Sequence, residues 1–196
     1  MVYILEEIEK YAEENNVPIM QKEGIEFLIK YINDNEVKSI LEIGSAIGYS
    51  AIKMALVDES ITITTVERDK ERYDVAVNNI DRLNLNDQIE IINDDAFNVN
   101  LSDKFDLIFI DAAKAQYIKF FEKFKVNLND NGVIISDNLD FHGLTTDVKN
   151  IKSRNLRQLV RKINDYNDFL KTNNEFETTF YHLGDGIAIS RRKKEI

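Results

Sequence analysis

Two apolar rhythms succeed one another along the chain. Ile4, Leu5, Ile8, Tyr11 and Ala12 recur at helical spacing within residues 2–15, and Gly24 to Ile32 repeats that spacing, so two helices are expected before residue 36. From Lys38 the rhythm changes to short apolar runs separated by amphipathic segments. Ser39–Ile43, Ile61–Val66, Ile89–Ile92, Phe105–Ile110 and Gly132–Ser136 read as strands. Tyr49–Val57, a segment capped by Asp69 and ending near Leu83, and Lys114–Val126 read as the helices between them. The run FDLIFI at 105–110 is apolar enough to be covered on both faces. Strands alternating with helices in this way predict an α/β fold with a parallel, doubly wound sheet.

The rhythm breaks near the end. After a helix from about Arg154 to Leu170, the runs Phe176–Tyr181 and Ile187–Ser190 flank Gly184-Asp185-Gly186, which predicts an antiparallel hairpin. The expected architecture is a Rossmann-like, seven-stranded, mostly parallel sheet with a C-terminal antiparallel hairpin and two extra N-terminal helices. No repeat or linker interrupts the sequence, so residues 1–196 are read as a single domain, with 1–35 a helical cover and 36–196 the core.

Composition narrows the chemistry. The chain has no cysteine, which excludes disulfides and thiolate metal sites and fits a cytoplasmic protein. No apolar run reaches transmembrane length, and MVYILEEIEKYAEENN is too acidic for a signal peptide, so no membrane partner is expected. A net charge of -10 argues against coating nucleic acid with the whole surface. One local exception stands out: from Lys149 to Lys162 there are six basic residues and no acidic ones, and Arg191, Arg192, Lys193 and Lys194 form a second cluster. On charge alone a solvated helix face and a charged tail explain both.

Candidate site residues fall at strand ends. Gly44-Ser45-Ala46-Ile47-Gly48 joins the first strand to the first core helix, where glycines permit a sharp turn and the helix offers free N–H donors. The spacing is G-x-x-x-G rather than the dinucleotide fingerprint, and a plain tight turn would account for it equally. Glu67 lies 23 positions after Gly44, directly behind the second strand, where an acid can hold ribose hydroxyls; an ordinary charge in VERDKER is the alternative. Asp94-Asp95-Ala96 follows the third strand, in the place of an adenine ring. Asp111 closes the fourth strand and Asp137-Asn138 the fifth; two carboxylates and an amide suit a hard cation such as Mg²⁺, unless the acids cap the next helices. Lys114 follows Asp111 by three residues, as a general base reaching the same pocket or as a solvated helix lysine.

These segments together, LEIGSAIGYSA, TVERD, NDDA, FIDAAKAQY and ISDNL, resemble the cation-dependent O-methyltransferases that include the catechol and caffeoyl-coenzyme A enzymes. The likeness runs from about Val17 to Arg191, and the closing hairpin is that of the class I methyltransferase form of the Rossmann arrangement. It implies S-adenosylmethionine contacts from Met20, Gly44, Ser50, Glu67, Asp95, Ala96 and Asp111, a metal on Asp111, Asp137 and Asn138, Lys114 as base, and a homodimer. Asp94 stands where relatives often carry glycine.

Within that family the chain is most similar to the bacterial branch that methylates 5-hydroxyuridine at the tRNA wobble position. SDNLDFHG (136–143) and the basic run that follows carry this likeness, which implies tRNA contacts from Lys152, Arg154, Arg157 and Arg161. On a helical wheel Arg154, Arg157 and Arg161 share a face roughly opposite Leu156, Val160 and Ile163. A small catechol or phenol is the alternative substrate. A nicotinamide-dependent oxidoreductase or a non-catalytic nucleotide-binding module is the rival of another class; the missing third glycine, the terminal hairpin and the Asp/Asp-Asn set count against it. His142 and His182 are read as hydrogen-bonding residues without a catalytic part.

Overall fold

A computed structural model describes residues 2–140, 145 and 151–194. Seven strands form one sheet in the order β3-β2-β1-β4-β5-β7-β6. They are β1 (Ser39–Ile43), β2 (Thr62–Val66), β3 (Ile89–Ile92), β4 (Phe105–Ile110), β5 (Leu128–Ser136), β6 (Phe176–Tyr181) and β7 (Ile187–Arg192). The first five pair in parallel; β7 runs antiparallel beside β5 and closes a hairpin with β6. The expected seven-stranded Rossmann-like architecture is the one observed.

Side-chain alternation along the strands feeds two cores. Ile40, Ile63, Leu107, Phe109, Val133 and Ile135 pack on one face with α1 (Val2–Glu14), α2 (Lys22–Asp34) and α3 (Tyr49–Ala55). Leu41, Ile43, Ile108, Ile110 and Ile134 point to the other face, against α5 (Tyr117–Phe124) and α6 (Arg154–Lys171). Residues adjacent in sequence thus serve opposite cores, which is why FDLIFI carries no polar-out positions beyond Asp106. Ile8, Ala12, Ile25, Leu28 and Ile32 belong to the first core, so the N-terminal helices share its interior as well as covering an edge.

Several boundaries differ from the sequence expectation; α3 ends at Ala55 rather than Val57, and β2 starts at Thr62 rather than Ile61. The segment 114–126 is a regular helix only over Tyr117–Phe124, with 3₁₀ turns at Lys114–Gln116 and Lys125–Asn127; tighter i→i+3 bonding at helix ends is common. Strand β5 starts at Leu128, four residues early, because Leu128 pairs with Phe105 before the register shifts and resumes at Leu107–Val133. Strand β7 continues through Arg192, pairing with Phe176. Between β2 and β3, α4 (Lys70–Arg82) begins where expected: the Asp69 carboxylate accepts from the amides of Glu71 and Arg72 at 3.0 and 3.1 Å.

Candidate active site

The carboxyl ends of the central strands are tied in one row by main-chain hydrogen bonds that extend the sheet past its last residues. Glu67 donates to Ile92, Gly44 to Val66, Asp111 to Ile43 and Asp137 to Ile110, at 3.0, 2.9, 3.1 and 3.3 Å. Four sequence-distant segments are thereby set side by side above β3-β2-β1-β4-β5. They line a cavity of about 660 Å³ that contains Met20, Gly44, Ser50, Glu67, Asp95, Ala96, Asp111, Lys114, Asp137 and Asn138. Every residue proposed from sequence for cofactor, metal or base therefore reaches one site, at the place where an open α/β sheet binds its ligands.

At the cofactor end the glycine loop runs against strand β4. A Cβ on Gly44 would lie 2.4 Å from the Asp111 carbonyl, and the residue has φ +96°, so only glycine lets the loop come this close. Gly48 at φ +81° opens α3. The Glu67 carboxylate is held in place by the amides of Ala46 and Asp69, both at 2.8 Å. Asp94 accepts from the Asp95 amide and the Asn98 side chain, and Asp95 from the Phe97 amide, so this loop is fixed by its own acids. The buried Oγ of Ser45, a cavity-lining residue, has no partner among the described residues, as expected of a site shaped for a polar ligand.

Ser50 has a different immediate partner from the one its assignment implies. Its hydroxyl donates at 2.5 Å to Glu42, which also accepts from Thr65 at 2.5 Å. Glu42 is fully buried in an otherwise apolar strand, and burial pushes its carboxyl up to about 7 against the pull of these two donors. Sequence reading passed over Glu42 because a single acid in LEIG looks like a strand-end charge.

At the other end Asp111 and Asp137 flank Asn138. The Asn138 amide donates to Asp111 Oδ1 at 3.3 Å and to Asp137 Oδ2 at 2.9 Å. Among the described residues neither acid caps a helix: the 3₁₀ turn after Asp111 begins from Ala113 with no side-chain cap, and α6 is capped by Ser153. Burial raises both carboxyls; repulsion from Asp111 adds to the rise at Asp137, while Lys114 opposes it at Asp111. Two such acids beside an amide whose oxygen comes round by a half-turn of its terminal torsion make a hard-donor set for a divalent cation. Among the described residues no group of three His, Cys, Asp or Glu side chains forms a cage.

The rim was less legible. Pro18 to Gln21, between α1 and α2, line the cavity, and Gln21 donates to Asp185 of the β6–β7 turn at 2.8 Å. The amides of Leu139 and Asp140 donate to the carbonyls of Gly186 and Asp185. Gln21 and Asp185 were both missed, since turn chemistry explained Asp185 and nothing distinguished Gln21.

Of the basic residues, Arg154, Arg157 and Arg161 line one groove of α6 as the wheel placed them, with Val160 and Ile163 buried and Leu156 partly so. Lys152 is exposed just before the helix. A neighbouring groove joins Arg161 and Lys162 to Ala115, in the turn that carries Lys114. The C-terminal cluster lies elsewhere, in a groove with Gly132 near the opposite end of β5: Arg191 donates to the Tyr31 hydroxyl and Arg192 stacks on Phe176. His182 bonds Asp140 at 2.8 Å on the surface, while His142, Lys149 and the end of SDNLDFHG lie outside the described residues.

A parallel sheet ending in an antiparallel hairpin, with a glycine loop and a row of oxygen-bearing side chains at the strand ends, is the arrangement expected of an S-adenosylmethionine-dependent methyltransferase. The chain belongs to the O-methyltransferase family, whose profile matches residues 2–193, and it is an S-adenosylmethionine-dependent O-methyltransferase of the caffeoyl-CoA and catechol type. It is 29% identical over 168 residues to a catechol O-methyltransferase of Niastella koreensis, covering 79% of this chain and 73% of that one. A Staphylococcus aureus structure, provisionally designated a caffeoyl-CoA O-methyltransferase, superposes with TM-score 0.91 at 39% identity, covering 96% and 92%. An O-methyltransferase from Bacillus cereus in complex with S-adenosylhomocysteine superposes with TM-score 0.82 at 26% identity, covering 97% and 91%. The nicotinamide reading is set aside by these matches.

Proposed function

We propose that the enzyme methylates the 5-oxygen of 5-hydroxyuridine at the wobble position of tRNA, using a divalent cation, in the cytoplasm and as a homodimer. The observation that carries the substrate is the placement of α6. Its arginine groove shares Arg161 with a second groove, in which Lys162, paired with Asp165, lies with Ala115 of the turn bearing the cavity-lining Lys114, so a largely basic track runs toward the cavity. Such a track suits phosphates on either side of a single-stranded anticodon base that turns into the pocket.

Asp111, Asp137 and Asn138 would hold the cation, and Glu67, Asp95, Ala96, Gly44, Ser50 and Met20 the methyl donor. When bound, adenosylmethionine supplies an electrophilic methyl and Mg²⁺ acidifies a neighbouring hydroxyl. The 5-hydroxyl and 4-carbonyl oxygens of the uracil form a vicinal pair like that of a catechol. Lys114 accepts the hydroxyl proton at Nζ, and the walls of the cavity align the oxygen with the methyl and exclude water. A small catechol or phenol is the second reading, favoured by the similarity to the Niastella enzyme.

The experiment is methylation of tRNA from cells lacking the enzyme, followed by mass spectrometry of its nucleosides. Mg²⁺-dependent appearance of 5-methoxyuridine, abolished by EDTA, is expected. Unmodified tRNA alongside methylated catechols would instead select the second reading.

A further inference from the structure

Two buried tyrosines sit beneath the Asp137–Asn138 corner, and neither belongs to the chemistry above. Tyr117, the first residue of α5, donates its hydroxyl to the main-chain carbonyl of Asp137 at 3.1 Å. Tyr166, from the middle of α6, shares a 2.7 Å hydrogen bond with the hydroxyl of Ser136. The two rings meet edge to face at 5.1 Å, so α5 and α6 jointly brace the adjacent residues Ser136 and Asp137. Tyr117, Tyr166, Ser136 and Asp137 are all at most 3% exposed.

The peptide these contacts hold is the one that matters. Its carbonyl is fixed by Tyr117, and beyond it Asn138 adopts φ +64°, a left-handed conformation that asparagine is among the few residues with a side chain to visit. That turn swings the Asn138 amide back between Asp111 and Asp137. The anchored carbonyl belongs to the peptide directly before that turn, so the Tyr117 contact sits one bond upstream of the geometry that sets the amide.

We infer that Tyr117, supported by Tyr166, is a positioning residue for the divalent cation, acting through the main chain of Asp137 rather than by touching metal or substrate. The inference rests on the proposed metal site. Groups that orient metal ligands without binding the metal are typically worth about 10–100-fold in metal affinity.

Mn²⁺ titration followed by electron paramagnetic resonance, with S-adenosylhomocysteine present, tests it. Tyr117→Phe removes one oxygen and keeps the ring, so it should weaken Mn²⁺ binding about tenfold or more while leaving S-adenosylhomocysteine affinity within about twofold. Turnover should recover as Mg²⁺ is raised, showing a larger metal requirement with kcat kept. Tyr166→Phe should do the same to a smaller degree. Unchanged Mn²⁺ affinity in Tyr117→Phe overturns the inference, as does parallel loss of both ligands, which marks general loosening. Failure of the unaltered enzyme to bind Mn²⁺ overturns the metal reading itself, and this inference with it.

Discussion

Asn138 donates its side-chain amide to Asp111 across 3.3 Å, linking the ends of two neighbouring strands that are 27 residues apart in sequence. The interaction exists because β4 and β5 are parallel partners with Ile110 opposite Ser136. It makes the donor set a property of the sheet register rather than of any one loop.

Removing one member should therefore abolish metal-dependent turnover and spare the adenosine end. Asp137→Ala is expected to lower Mg²⁺-dependent kcat/KM at least about 100-fold, roughly 2.7 kcal/mol. Calorimetry should find S-adenosylhomocysteine binding within about threefold of the unaltered enzyme. Full activity in this variant, or in excess EDTA, refutes the metal assignment.

Glu67 is presented to the cavity by the Ala46 and Asp69 amides. Loss of hydrogen bonds from ligand hydroxyls to a charged acceptor is worth about 1.5–3 kcal/mol. Glu67→Ala should weaken S-adenosylhomocysteine binding by about 10–100-fold in calorimetry, with a smaller change in kcat at saturating methyl donor.

The α6 groove gives a salt-dependent prediction. Replacing Arg154 and Arg157 together by Ala should raise KM for tRNA about tenfold and flatten its dependence on salt, by roughly 0.7 in log–log slope for each phosphate that is no longer neutralised. KM for a small catechol should not move. An equal rise for both substrates would point to damage within the cavity.

Glu42 makes stability pH-dependent in a direction opposite to that of most acids. Its folded pKa of about 7 lies above the ordinary 4.5, so the folded state retains a proton that the unfolded chain has released. Its contribution is full below about pH 4.5 and is lost as pH rises through 7. The loss is of order 3 kcal/mol by pH 8, an upper bound from the raised pKa. Glu42→Gln should flatten this fall in denaturant titrations between pH 5 and 8. A slope unchanged by the substitution would mean that Glu42 is ionised throughout.

Strand positions were readable because each core face needs apolar side chains at every second residue, and a doubly covered sheet needs them at all; Phe105–Ile110 and Ile89–Ile92 follow directly. The start of β5 was not, since Asn129, Asp130 and Asn131 carry no strand signal and lie in the register shift between the Leu128–Phe105 and Val133–Leu107 pairs. The convergence of Glu67, Asp111, Asp137 and Asn138 on one cavity was readable from topology, since a residue one position past an apolar strand lies at the same sheet edge as its neighbours. Gln21, Asp185 and Tyr117 were not, because each acts through a partner between 20 and 164 residues away.

The hydrogen bond from Gln21 to Asp185 spans almost the whole polypeptide, with one partner ahead of the first strand and the other just before the last. The α1–α2 connection and the β6–β7 turn, both of which line the cavity, are thus clasped to one another. A shortened N-terminus, a lengthened β6–β7 turn and an altered acceptor preference are consequently one design problem, since each redraws the same doorway.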